Sequence, residues 1–301
     1  MFSYLLYGFI WLISFLPLRV LYVLSDGLYY ALYYVVRYRR SVTRMNLKNA
    51  FPEKETGEII KIEKGYYRSL ADIFVELYKS WHMSAAEMKK HCVFKHTEIL
   101  EKYYAEGKSV IGVMGHYGNW EWMASYALWM NKEVDFLSVY KPMHNKVWDK
   151  MMFDLRALWG CQPVPKNDIL RRIVRNRKEG RLFFAGFIAD QTPNKHNLNF
   201  WMDFLNQDTP ILIGTERIAA KFNLPVISLY MRKIGRGYYE VDFVKLCDEP
   251  ARLAPGELTV MYTRMLEEQI KKFPEYWLWS HRRWKHKRNK ENGVIGHEHG
   301  K

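Results

Sequence analysis

The chain has 301 residues, 49% of them hydrophobic and 16% aromatic, and its 46 Lys and Arg outnumber 32 Asp and Glu to leave a formal charge of +14. That length suits one large core or two small ones, and nothing Gly/Ser-rich or of low complexity marks a linker. The three cysteines, Cys92, Cys161 and Cys247, are odd in number and far apart, which suggests neither a disulfide framework nor a cysteine metal site and fits a reducing compartment. The positive charge calls for an acidic partner, and lipid, acidic protein and nucleic acid all satisfy it.

Residues 1–18 carry no charge, and a second apolar run from Val20 to Val36 is interrupted only by Asp26 and a glycine. Nine Tyr and Trp residues among the first 38 suit a membrane interface. The expectation for residues 1–38 is a membrane anchor, one span followed by an interface-hugging helix, with a re-entrant hairpin as the alternative. No basic segment precedes the apolar run, and no small-residue cleavage site follows it, which argues against a cleaved signal peptide. Arg37, Arg39, Arg40, Arg44 and Lys48 come next, and such a cluster predicts that the domain after it faces the cytoplasm.

Residues 39–290 read as one catalytic domain, and 291–301 as a flexible tail. Ile59 to Met83 has apolar residues at helical spacing, a packing helix. From residue 109 strands and helices alternate: SVIGVM, a helix to 130, VDFLSVY, helices over 147–158 and 169–177, RLFFAGFIA, a helix over 212–221, PVISLYM, YYEVDFVKL and a final helix over 257–272. This order predicts an α/β fold, a mostly parallel twisted sheet flanked by helices, with an antiparallel pair near 225–246.

In such a sheet the residues past the carboxyl ends of the strands share one crevice. His116, Lys141 and Asp190 each stand just past a predicted strand. The most informative stretch is SVIGVMGHYGNWEW, residues 109–122, which delivers His116 and Glu121 off a buried strand. Inside one helix, residues five apart point roughly 140° apart. A working pair therefore needs His116 before the helix and Glu121 in its first turns, with Gly118 and Asn119 as turn and cap. Glu121 would then accept from one imidazole nitrogen and leave the other free as a general base.

The bare spacing also occurs at His82/Glu87, His96/Glu101, His144/Asp149 and His286/Glu291; those lack the strand and glycine context and read as solvated charge pairs. A histidine with one carboxylate is too few ligands for zinc, so no metal or cofactor is expected. Lys141, Asp190 and Gln191 are candidate substrate contacts, with a solvated lysine and a turn cap as the plain alternatives. Arg217 is a candidate phosphate contact or a salt-bridged surface arginine. Arg171, Arg172, Arg175 and Arg177 read as a solvated helix face, or as a dock for an acidic carrier protein. The basic, aromatic segment 281–290 reads as bilayer-binding rather than nucleic-acid-binding, with Trp at headgroup depth.

GHYGNWEW resembles the first block of the late acyltransferases of lipid A biosynthesis, within the wider glycerol-3-phosphate acyltransferase-like superfamily. RMNLKNAFPE (44–53), VYKPMHNKVWD (139–149), ADQTP (189–193) and PEYWLWSHRRWK (274–285) are similar to further blocks in the same order. The family's second block carries Arg before its Pro; this chain has Lys141, which keeps the charge but not the bidentate fork. The resemblance implies transfer of an acyl chain from an acyl carrier protein thioester to a hydroxyl of a lipid A precursor, with His116 as base and no covalent acyl-enzyme. Acyl-CoA as donor, another glycolipid or aminolipid as acceptor, and a non-catalytic lipid-binding protein of the same fold are the alternatives.

Overall fold

The structure is a computed structural model and describes residues 2–288. Its N-terminal part is helical: α1 (Phe2–Ile13) and α2 (Leu18–Tyr30) are separated at Pro17, and a π-helical turn, Ala31–Val35, extends α2. The expected span is not there. At 1.5 Å per residue the 12-residue α1 is about 18 Å long, short of a hydrocarbon core of about 30 Å. No helix among the described residues is long and apolar enough to cross a membrane. The physical reason is local: Pro17 cannot continue a helix from α1, and α2 turns one face inward. Leu21, Ser25 and Tyr29 are buried, while Asp26 pairs with Arg236 at 2.6 Å.

Helices α3 (Arg40–Ala50) and α4 (Thr56–Lys79) follow. A Glu55/Glu58 capping box starts α4, satisfying backbone donors that its first turn leaves open. Ile59, Tyr66, Leu70, Ile73 and Leu77 form its buried stripe. Arg44 of α3 grips buried Glu63 of α4 with two 2.8 Å hydrogen bonds, so this arginine is structural and not part of a free basic cluster.

The core domain then runs α5 (Ala85–His91), β1 (Cys92–Lys95), α6 (Glu98–Ala105), β2 (Val110–Met114), β3 (Asp135–Tyr140), α7 (Lys146–Ala157), β4 (Gln162–Pro165), α8 (Ile169–Lys178) and β5 (Phe183–Ile188). A small hairpin, β6 (Trp201–Phe204) and β7 (Gln207–Pro210), precedes α9 (Gly214–Phe222), β8 (Val226–Gly235), β9 (Tyr238–Cys247) and α10 (Glu257–Lys272). The main sheet has the order β1-β9-β8-β2-β5-β3-β4, parallel except for the β8/β9 pair. The mostly parallel sheet and the antiparallel pair are therefore as the alternation of elements predicts. Strands β1 and β4 and the small hairpin go unmarked in that pattern, because four-residue segments carry too little periodicity.

Val110 to Met114 are all buried, as a central parallel strand covered on both faces requires. One face packs α8, α9 and α10 through Ile173, Ala219, Leu258 and Tyr262. The other carries Met114, Phe136, Phe184 and Leu229 beneath a 3-10 helix, Trp120–Leu128. Cys92 and Cys161 are free thiols, and burial pushes both up to about 12.

Candidate active site

Strands β2, β5 and β3 are adjacent and parallel, so their carboxyl ends bring His116, Asp190 with Gln191, and Lys141 to one edge of the sheet. Register does the fine placement. Met114 lies opposite Ile188, so two steps further along each strand bring His116 opposite Asp190. The imidazole Nδ1 donates to Asp190 Oδ1 at 2.6 Å, and the His116 amide donates to Oδ2 at 2.8 Å. Trp277 Nε1 donates to the same Oδ2 at 2.8 Å. Asp190 is only 7% exposed. Burial opposes its ionisation, but the electrostatic pull of the adjoining imidazole and the hydrogen bonds from His116 and Trp277 hold its pKa at about 2.

The C-terminal tryptophans clamp this turn. The Leu278 amide donates to the His116 carbonyl at 3.1 Å, the Gly118 amide to the Tyr276 carbonyl at 3.0 Å, and Tyr117 pairs with Trp277 as an antiparallel bridge. Trp277 and Trp279 are 2% and 0% exposed, so they are core residues. Burying large aromatic rings with their N–H groups satisfied is a structural use of tryptophan. Residues 289–301, with the expected flexible tail, lie outside the described residues.

Glycine is required at 115 because a Cβ there would stand 2.7 Å from Leu266 side-chain carbons and 3.1 Å from Asp190 Oδ2. Gly118 has φ +59°, a turn conformation that a side chain resists. Asn119 caps the following helix, its side chain accepting from Trp122 N at 3.3 Å. Turn and cap stand where the sequence suggests them.

The partner of the imidazole differs from the expected one. Glu121 lies in the first turn of the helix, but it accepts from Arg156 of α7 in a bidentate pair of 2.8 and 2.6 Å and makes no hydrogen bond to His116. A 3-10 helix, rather than the α-helix anticipated, carries it toward α7, while the buried carboxylate of the neighbouring strand occupies Nδ1. Glu121 stays ionised despite burial because Arg156, and secondarily His116, hold its carboxyl below the ordinary range. The other histidine–acid spacings form no pairs of their own: His96 meets Asp242, Glu87 caps with Ser84, Asp149 accepts from the Met143 amide, and Glu291 lies outside the described residues.

His116, Glu121, Lys141 and Gln191 line one cavity of about 560 Å³. Its inner wall is apolar, with Met114, Met123, Phe136, Ile188 and Leu229, and Gly186 leaves room where a Cβ would come within 3.3 Å of Phe136. Its outer part carries Lys141, Lys166 and Asn194, all exposed. Gln191 Nε2 lies 3.1 Å from His116 Nε2. With Nδ1–H directed at Asp190, Nε2 is the proton-accepting nitrogen. Arg217 is exposed and absent from the cavity lining, although its neighbours Thr215 and Ile218 are there; the helix turns it away. Arg156, Lys166 and Trp277 are site residues that the spacing of the sequence does not flag.

A second layer lies behind Asp190. Arg283 is 1% exposed and donates to the Pro210 carbonyl at 2.7 Å. Burial lowers its pKa to about 10, partly offset by Asp190. His281 Nε2 accepts from the Thr192 amide at 3.3 Å. Burial lowers this imidazole to about 4, with Arg283 and His116 adding to the effect against Asp190.

A family model described as bacterial lipid A biosynthesis acyltransferase matches residues 1–286. A lipid A biosynthesis palmitoleoyltransferase of Escherichia coli is 23% identical over 279 residues, 92% of this chain and 89% of that protein. A lipid A biosynthesis lauroyltransferase of the same organism is 22% identical over 281 residues, again 92% and 89%. A lipid A biosynthesis acyltransferase of Haemophilus influenzae is 21% identical, with 90% and 83% covered.

Proposed function

Because this chain belongs to the bacterial lipid A biosynthesis acyltransferase family and is an acyltransferase, we propose that it transfers a fatty acyl chain from a thioester, an acyl carrier protein conjugate before acyl-CoA, to a hydroxyl of a lipid A precursor. The observation that carries this reading is the His116–Asp190 hydrogen bond at the lip of a cavity with an apolar inner wall.

In this mechanism the acceptor hydroxyl displaces Gln191 from His116 Nε2. Its oxygen attacks the thioester carbonyl carbon as its proton passes to Nε2. Asp190 holds the tautomer and stabilises the imidazolium; Glu121, ionised nearby, adds to that stabilisation through space. The tetrahedral adduct collapses by breaking the C–S bond, and the leaving thiolate takes the proton from His116. Base assistance of this kind is worth roughly 10²- to 10⁴-fold. Arg156 Nη1 makes no hydrogen bond among the described residues, its Nε and Nη2 being paired with Glu121, so an Nη1 N–H can donate to the oxyanion. Lys141 and Lys166 at the mouth would meet anionic groups of donor or acceptor, and the apolar wall would hold the acyl chain.

The reading extends to a membrane surface. On α1, Tyr4, Leu5, Phe9 and Leu12 are 60–69% exposed, and on α2 Val23 is 69% exposed. A patch of this kind marks an interaction surface. Helix α1 lies against α7, with Asn145 Nδ2 3.3 Å from Ser3 Oγ, and α7 carries Arg156 into the cavity. An amphipathic hairpin lying in the inner-membrane interface would thus bring the cavity to a lipid acceptor without a span.

The test incubates membranes bearing wild type or His116→Ala with a lipid A precursor and lauroyl or myristoyl thioesters of acyl carrier protein and of CoA, and reads lipid mass. One added acyl chain, lost in the variant, supports the reading and identifies the donor. No added chain with any donor, together with full function of the variant in a deletion strain, defeats it in favour of lipid binding.

A further inference from the structure

Glu76, near the end of α4, is 0% exposed yet makes four contacts that the acyl-transfer chemistry does not use. Its Oε2 accepts from Asn119 Nδ2 and from Tyr239 OH, both at 2.8 Å, and its Oε1 accepts from Tyr22 OH at 3.0 Å. Its backbone carbonyl accepts from Trp122 Nε1 at 3.2 Å. A buried carboxyl group that collects three side-chain donors from three separate segments is costly to assemble, and removing any donor leaves a buried acceptor less well satisfied.

Two of those segments matter for the site. Asn119 closes the turn that begins at His116, and both ends of its amide are committed: Nδ2 to Glu76, Oδ1 to the Trp122 amide. The turn is therefore pinned at its start by Asp190 and at its finish by Glu76. Tyr22 belongs to α2, whose outer face exposes Val20, Val23 and Leu24. Nearby Ser25 docks the same helix separately, donating to Asp72 at 2.8 Å.

We propose that Glu76 is a positioning residue for the His116 turn, and that the hydrogen bond it receives from Tyr22, rather than the docking of α2 as a whole, is a condition for the turn's active geometry. The inference rests on the acyl-transfer reading for its kinetic consequence, not for its structural one. Tyr22→Phe removes one donor and nothing else; Ser25→Ala removes one hydrogen bond from the same docked helix without touching Glu76.

The experiment compares Tyr22→Phe, Glu76→Gln and Ser25→Ala in the full chain. It measures kcat and KM with lauroyl thioesters of acyl carrier protein and of CoA, and amide exchange in peptides covering 18–30 and 115–128. Expected for Tyr22→Phe and Glu76→Gln is a kcat lower by about tenfold, KM for the donor within about twofold, and faster exchange at 115–128. Ser25→Ala should speed exchange at 18–30 alone and keep its kcat. Wild-type kcat and wild-type exchange at 115–128 in Tyr22→Phe would overturn the proposal, as would an equal fall of kcat in Ser25→Ala. A wild type that transfers no acyl chain would defeat the acyl-transfer reading, while the exchange pattern would still decide whether Glu76 holds the turn.

Discussion

Asp190 holds His116 at two points, through its ring Nδ1 and through its backbone amide. One carboxylate thus sets both the tautomer of the imidazole and the path of the chain that carries it. Glu121, five residues from His116, does neither; its two oxygens belong to Arg156. The two acids have separable consequences.

Asp190→Asn should lower kcat by about 10³-fold, since the amide no longer stabilises an imidazolium and can present the wrong hydrogen-bonding group to Nδ1. Glu121→Gln should cost roughly 3 kcal/mol of stability by leaving Arg156 buried without its counter-charge. Single-turnover acyl transfer and urea unfolding of both variants separate the effects. A larger kinetic than conformational defect in Asp190→Asn, with the reverse in Glu121→Gln, is the expected pattern.

Acid should weaken the fold in two stages. His281, lowered to about 4 from an ordinary value near 6.5, binds a proton more readily when unfolded, so its contribution is full above about 6.5 and is lost as pH falls toward 4. Asp190, held at about 2 against an ordinary 3.8, contributes above about 4 and is lost as pH falls through 2, an effect of about 2 kcal/mol. Unfolding midpoints measured from pH 7 to 2 should therefore lose their upper step in His281→Gln and their lower step in Asp190→Asn.

Phospholipid vesicles carrying anionic lipid should bind the protein through α1 and α2. Replacing Leu5 and Val23 together by Ser should reduce vesicle co-sedimentation by at least about tenfold, since each apolar side chain removed from water is worth about 1.5–3 kcal/mol. The circular dichroism spectrum should not change, because both residues face outward. Equal binding of the variant would move the interface elsewhere on the chain.

The chain itself determined the sheet and the place of its chemistry. Apolar runs such as 110–114 and 183–188 read as buried strands, and amphipathic stretches such as 257–272 as the helices that cover them, so alternation put His116, Lys141 and Asp190 each just past a strand end, while the order of those strands in the sheet came from the tertiary structure. What tertiary structure decided was partnership. Which carboxylate meets the imidazole depends on the Met114–Ile188 register and on a 3-10 helix that carries Glu121 to Arg156. The inward tryptophans near residue 277 and the inner face of α2 likewise depend on contacts between distant segments. Local sequence sets periodicity and polarity over a few residues; it does not set the alignment of strands about 75 residues apart, which packing of the whole core selects.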